Sequence, residues 1–244
     1  MQALVLGPLA LCAGADRLPL GTPKQKAALA LLVSRPNTVV SVDDIIAELW
    51  GERPPASALA NARMYAANLR RTLAGVPDGP RLTKHGEGYA LSIDPVEIDV
   101  VCFRDLVSRA RESRARGSHV DAAALFDEAL HLWRGRALAD VPLGGALGAW
   151  CAAVEEERLR VVEDRAQAHL AAGVVDRPVT DLRGLISAEP LRERAYALLM
   201  QAQYQSGDVE GALATFDVAR RTLVEQLGME PADELRRLQR AVLN

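Results

Sequence analysis

The pattern of apolar residues changes once along this chain, at Asp94-Pro95, and that change limits the folds open to it. Before it, short strand-like runs are interleaved with helical spacing. From Ile98 onward only helical spacing appears. A chain of 244 residues has room for two domains of ordinary size. The change of pattern divides it into residues 1–95 and 96–244. Aromatics make up only 4% of the chain, so alanine and leucine carry the apolar load, which favours helix. The expected fold is mainly α: a small α/β domain followed by an all-α one.

In the first part, Ala3 to Leu6 and Leu9 to Leu11 read as short strands around Gly7-Pro8, with a turn at Gly14-Ala15-Asp16. Thr22 is placed to cap a helix that has Pro23 at its first position. Leu29, Leu32 and Val33 are expected to face the core, with Lys24 and Lys26 outside. Ser41 is expected to cap a second helix, which Gly51 stops. Ser57 is expected to cap a third, whose buried stripe is Leu59, Ala62, Ala66, Leu69 and Leu73. After the break from Pro77 to Pro80, Arg81 to Lys84 and Tyr89 to Ile93 form a hairpin around Gly86-Glu87-Gly88. Strands, three helices, then a hairpin is the order of a winged helix-turn-helix with an extra N-terminal sheet.

Helical patterns in the second part run from Val100 to Arg116, Val120 to Trp133, Ala149 to Ala172, Val179 to Ala188, Leu191 to Ser206, Val209 to Leu227 and Ala232 to Leu243. One motif occurs twice here. Gly117, Ala122, Phe126, Asp127 and Ala129 recur at identical offsets as Gly207, Ala212, Phe216, Asp217 and Ala219. Tyr196 and Leu199 sit where a tetratricopeptide helix carries its large residues, so the second part reads as TPR-like.

The third helix of the first part carries the functional signal. Opposite its apolar stripe lie Asn61, Met64, Asn68 and Arg71, flanked by Arg63 and Arg70, and no Asp or Glu occurs from Ala56 to Val76. Such a face suits the major groove of duplex DNA. Arginine pairs with guanine, asparagine with adenine, and a methionine can touch the thymine methyl. Arg53 is placed to meet phosphate. In the hairpin, Lys84 and His85 adjoin glycines that let a backbone approach phosphates. Any one of these features also suits a plain solvated surface; their order along the chain favours DNA. The net charge is only −3, and carboxylates outnumber Lys and Arg from Val100 to Asn244. DNA contact therefore belongs to the first part and protein partners to the second.

Enzymatic chemistry is poorly supported. His85, His119, His131 and His169 have no partners at metal-ligand spacing, and the glycines form no phosphate-binding loop. Glu155-Glu156-Glu157 reads as a solvated helix face. No catalytic residue, metal or cofactor is expected. Cys12, Cys102 and Cys151 show no paired spacing, which suits a reducing cytoplasm. No apolar run reaches the length of a membrane span, and no signal peptide is expected. A protein-interaction module built on the helical repeat is the alternative to a DNA-binding regulator.

Taken together, the residues resemble the Streptomyces antibiotic regulatory protein (SARP) family of transcriptional activators. The N-terminal markers are Leu6-Gly7-Pro8-Leu9, Leu20-Gly21-Thr22-Pro23-Lys24-Gln25, Val39-Val40-Ser41-Val42-Asp43, Leu49-Trp50-Gly51-Glu52-Arg53-Pro54-Pro55, Leu69-Arg70-Arg71-Thr72-Leu73 and Gly88-Tyr89. The later ones are Leu132-Trp133-Arg134-Gly135-Arg136-Ala137-Leu138, Pro190-Leu191-Arg192-Glu193-Arg194 and Leu227-Gly228-Met229-Glu230-Pro231. The resemblance implies an OmpR-like winged helix over 1–95 and a bacterial transcriptional activation domain over 96–244. It implies a cytoplasmic, nucleoid-associated activator of secondary metabolism that binds direct repeats near promoters as a homodimer and recruits RNA polymerase holoenzyme. By the same resemblance the loop of Gly51, Glu52, Arg53, Pro54 and Pro55 faces polymerase, and the helical half makes the dimer contacts. With Asn244 as its last residue, the chain resembles the small, stand-alone members. Where the family commonly has a Tyr-Val-Ser-Arg-Leu-Arg type run, this chain has Tyr65-Ala66-Ala67-Asn68-Leu69-Arg70. Asn68 thus replaces an arginine, with Arg63 nearby to compensate.

Overall fold

The computed structural model describes residues 1–77 and 79–243; Asp78, in the expected Pro77 to Pro80 break, and the final Asn244 lie outside the described residues. The chain divides into two compact units. One comprises Met1–Asp105 with His131–Glu156; the other comprises Leu106–Leu130 with the residues from Glu157 onward.

The first unit opens with an antiparallel sheet of β1 (Gln2–Leu4), β2 (Ala10–Ala13) and β3 (Asp16–Arg17), in which Gln2 faces Cys12 and Leu4 faces Ala10. The first strand is shorter than expected because Val5 and Leu6 have other partners. Their amides donate to the buried Asp99 carboxylate at 2.8–3.0 Å, and their carbonyls accept from Leu138 and Arg134 at 3.0 and 2.8 Å. Burial raises the Asp99 pKa above the ordinary carboxylate range, against the lowering effect of those amides and of Arg134. A second sheet has the order β4 (Val40–Ser41), β6 (Gly88–Ser92), β5 (Arg81–His85). Strands β5 and β6 form the expected hairpin, with Arg81 opposite Ser92 and His85 opposite Gly88.

The unit has three helices before the hairpin: α1 (Pro23–Ser34), α2 (Val42–Trp50) and α3 (Ala58–Ala74), with β4 between the first two. Thr22 Oγ1 accepts from the Gln25 amide at 3.3 Å and Ser41 Oγ from the Asp44 amide at 3.0 Å, so both expected caps form. Helix α1 departs from the one-sided pattern expected of it: every residue from Ala27 to Val33 is buried. It touches α2, α3 and β6, so all its sides have apolar neighbours. Lys24 and Lys26 are half-buried rather than outside. The Lys24 ammonium donates to the Leu49 carbonyl and sits 4.5 Å from the Trp50 ring centre; Lys26 pairs with Asp140 at 2.6 Å.

A short 3-10 turn (Pro95–Glu97) leads into α4 (Asp99–Ala115), α5 (His119–His131) and α6 (Gly145–Ala171). Glu155, Glu156 and Glu157 are half-buried rather than a solvated face, and Glu155 Oε1 accepts from the Ala137 amide at 2.7 Å.

The second unit completes the helical series with α7 (Asp176–Ala188), α8 (Glu193–Gln205), α9 (Val209–Leu227) and α10 (Asp233–Leu243). Helix α7 starts before its expected Val179 because Pro178 falls in its first turn, where the missing N–H costs no helical bond. The repeated motif plays the same structural role in both copies. Gly117 and Gly207 turn the chain at φ +80° and +85°, a conformation open to glycine. Ala122, Phe126 and Ala129 are buried, and so are Ala212, Phe216 and Ala219. Tyr196 fills the core beside Phe216 and its hydroxyl donates to the Pro190 carbonyl at 3.1 Å.

Candidate nucleic-acid interface

The buried stripe of α3 is Ala58, Ala62, Ala66, Leu69 and Leu73, spaced 4, 4, 3 and 4 residues apart. Leu59, expected in that stripe, is 44% exposed. One residue is about 100° of helix, so starting at Ala58 rotates Leu59 out of the core. Ser57 is not a side-chain cap; its hydroxyl accepts instead from Asn61 Nδ2 at 3.1 Å.

This rotation redistributes the expected reading face. Diametrically opposite the buried stripe runs the row Ala60, Met64, Ala67 and Arg71, all exposed, with Met64 at 48%. Asn61 and Asn68 are half-buried and lie along one border of that row, the border of Tyr65, whose ring stacks on Trp50 of α2 at 6.5 Å and 18°. Arg63 and Arg70 lie along the other border, the side of the hairpin. Arg63 pairs with Glu87 of the hairpin turn at 3.2 Å, and Arg70 Nε donates to the Leu82 carbonyl of β5 at 3.0 Å. Arg71 is exposed and makes no hydrogen bond or ion pair among the described residues.

The hairpin adds a second set of groups. Lys84 is exposed, and the His85 ring lies 2.9 Å from the Thr83 hydroxyl. Sequence reasoning passed over Arg81, which is exposed on the same hairpin strand. It also passed over Ala60 and Ala67. Their signal was steric: two small residues in the outermost row let a helix backbone come close to what it faces. The loop of Gly51, Glu52, Arg53, Pro54 and Pro55 is exposed throughout. The arrangement thus offers a carboxylate-free helix face, a row of small and apolar side chains ending in a free guanidinium, and basic groups on the adjoining hairpin. Chemically it suits the edges of bases and the phosphates beside them.

Residues with other chemistry are scattered. Among the described residues no group of three or more His, Cys, Asp or Glu is placed to hold a metal. The Cys151 thiol is pushed up to about 11 by burial, helped by the charges of Glu155 and Glu48, which makes it a poor nucleophile. Among the described residues no helix is long and apolar enough to cross a membrane.

Comparison with known proteins gives a consistent result along the chain. Residues 17–91 match the model described as transcriptional regulatory protein, C terminal, and residues 98–243 match the bacterial transcriptional activator domain. Regulatory protein DnrI of Streptomyces peucetius is 37% identical over 251 residues, which covers all of this chain and 92% of DnrI. Regulatory protein AfsR of Streptomyces griseus is 38% identical over 243 residues; there the chain spans only 24% of the relative's length. Among solved structures, EmbR of Mycobacterium tuberculosis in complex with a low affinity phosphopeptide superposes with a TM-score of 0.95 at 32% identity, covering 99% of this chain and 64% of that one.

Proposed function

The chain belongs to the Streptomyces antibiotic regulatory protein family of transcriptional activators, and from that premise we propose that it binds direct repeats of duplex DNA near a promoter and recruits RNA polymerase there. The working division is a DNA-binding domain over 1–95 and an activation domain over 96–244. Helix α3 enters the major groove. Met64 and Arg71 read bases from the outermost row, Asn61 and Asn68 from its border, and Arg53, Lys84, Arg81 and His85 meet phosphates. Arg63 and Arg70 chiefly hold the helix to the hairpin. The exposed loop from Gly51 to Pro55 is the surface offered to polymerase, and the helical half joins two copies on adjacent repeats. The place of action is the nucleoid, and secondary-metabolite genes are the target.

The observation that carries this reading is the outward row of α3, where a carboxylate-free face ends in the exposed Arg71 guanidinium, unpaired among the described residues. Footprinting on the promoters beside its own gene tests it. Two protected direct repeats about one helical turn apart are expected for side-by-side copies. An unprotected promoter would remove the reading, and one protected segment would remove the dimer.

A further inference from the structure

Glu48 of α2 is buried, 6% exposed, yet its carboxylate does not take part in the helix-turn-helix surface. It points to the start of α6. Its Oε1 accepts from the Gly144 amide at 2.6 Å, and its Oε2 accepts from the Ala146 and Leu147 amides at 3.0 and 3.2 Å. These are amides that a helix leaves without partners at its N-terminus, where an anion is favoured. Glu48 therefore caps α6 from a residue almost a hundred positions away. The fit is tight, because a Cβ on Gly144 would run into the Glu48 backbone carbonyl and side chain.

Two residues further along α2, on nearly the opposite side of that helix, Trp50 stacks on Tyr65 of α3. The cap on α6 and the ring contact on α3 thus share one two-turn helix.

We propose that Glu48 is a positioning residue for DNA reading: through its cap on α6 it sets α2, and through the Trp50–Tyr65 stack α2 sets the angle of α3. This rests on α3 being the DNA-reading helix. A cap that only added stability would leave base reading untouched in the folded protein. A cap that sets α3 weakens binding to the correct site more than binding to unrelated DNA, where phosphates dominate.

The test uses the full chain with Trp133→Phe and Trp150→Phe, so that Trp50 is its sole tryptophan. Glu48→Ala, Tyr65→Leu and the double variant are compared with this parent. The readouts are Trp50 emission without DNA and the Kd for the promoter segment of its own gene and for unrelated duplex. The expected result is a shifted Trp50 emission and about a tenfold loss for the promoter segment, a coupling of the size seen within one contact network. The unrelated duplex is expected to bind unchanged. Once Tyr65 is leucine, adding Glu48→Ala is expected to change promoter affinity little. Additive effects, or an unmoved emission, would overturn the proposal. Should Glu48→Ala not fold, Glu48→Gln keeps the volume and one acceptor oxygen, and the same cycle decides on it. A parent that binds no DNA would sink the DNA reading itself, while the emission arm still judges the link from Glu48 to Trp50.

Discussion

Arg70 leaves α3 sideways: its Nε donates to the Leu82 carbonyl of the hairpin at 3.0 Å, while its neighbour Arg71 is exposed and has no partner among the described residues. Two adjacent arginines thus differ: one holds helix to hairpin, and the other, in the proposed function, meets DNA. Arg70→Ala is expected to lower unfolding stability by about 1 kcal/mol, the usual net value of such a bond at a partly exposed site. Urea titration of the variant measures it. If Arg70→Ala instead left stability unchanged and weakened DNA binding as strongly as Arg71→Ala, the division of roles would be wrong.

Gly88 stands where β6 passes β4. A Cβ there would come within 2.7 Å of both Val39 Cγ1 and the Val40 carbonyl oxygen. Gly88→Ala is expected to destabilise the fold by about 1–3 kcal/mol through overpacking against a strand that cannot easily retreat. Thermal unfolding read by circular dichroism checks this, and an unchanged midpoint would show that β4 yields.

Acid should weaken the helical unit in two steps. Burial lowers the His169 pKa, with Asp127 opposing and Arg177 and Arg165 assisting. Its unfolded form takes up protons first, so stability starts to fall as pH drops through about 6.5. Asp164 is only 6% exposed, and burial alone would raise its pKa, but hydrogen bonds from Arg194 and Arg111 and the charges of Arg194 and Arg114 outweigh burial and lower it. The stability this group adds is complete above the unfolded value of about 3.9 and is lost as pH falls through the lower folded value. Urea titrations across this range should show Asp164→Asn losing the second step and keeping the first. A variant whose profile ran parallel to the parent's down to the acid end would contradict the assignment.

Local chemistry made much of this fold legible in advance. Thr22 and Ser41 cap as their residue types demand, α9 keeps its expected ends at Val209 and Leu227, and the hairpin turns between His85 and Gly88. What could not be read depends on partners far away in sequence. The shortening of β1 comes from Asp99, Arg134 and Leu138, none of which leaves a trace near Val5. The unbroken burial of α1 from Ala27 to Val33 comes from neighbours on several sides of it. At the site, one misplaced residue mattered most. With Leu59 in the core, the expected reading face comprises Asn61, Met64, Asn68 and Arg71 together. With Ala58 in that place, the outermost exposed row keeps Met64 and Arg71, and the two asparagines move to its border.

The central claim is that the outward row of α3 reads DNA, and the most direct test is a gel-shift titration of Arg71→Ala on the promoter segment of its own gene at several salt concentrations. The account predicts a loss of about 1–3 kcal/mol in binding free energy, with relaxed preference at one base position if Arg71 reads a base. It also predicts that affinity of the unmodified protein falls steeply as salt rises. Unchanged affinity in the variant would remove Arg71 from the site, and binding indifferent to salt would contradict the DNA reading as a whole.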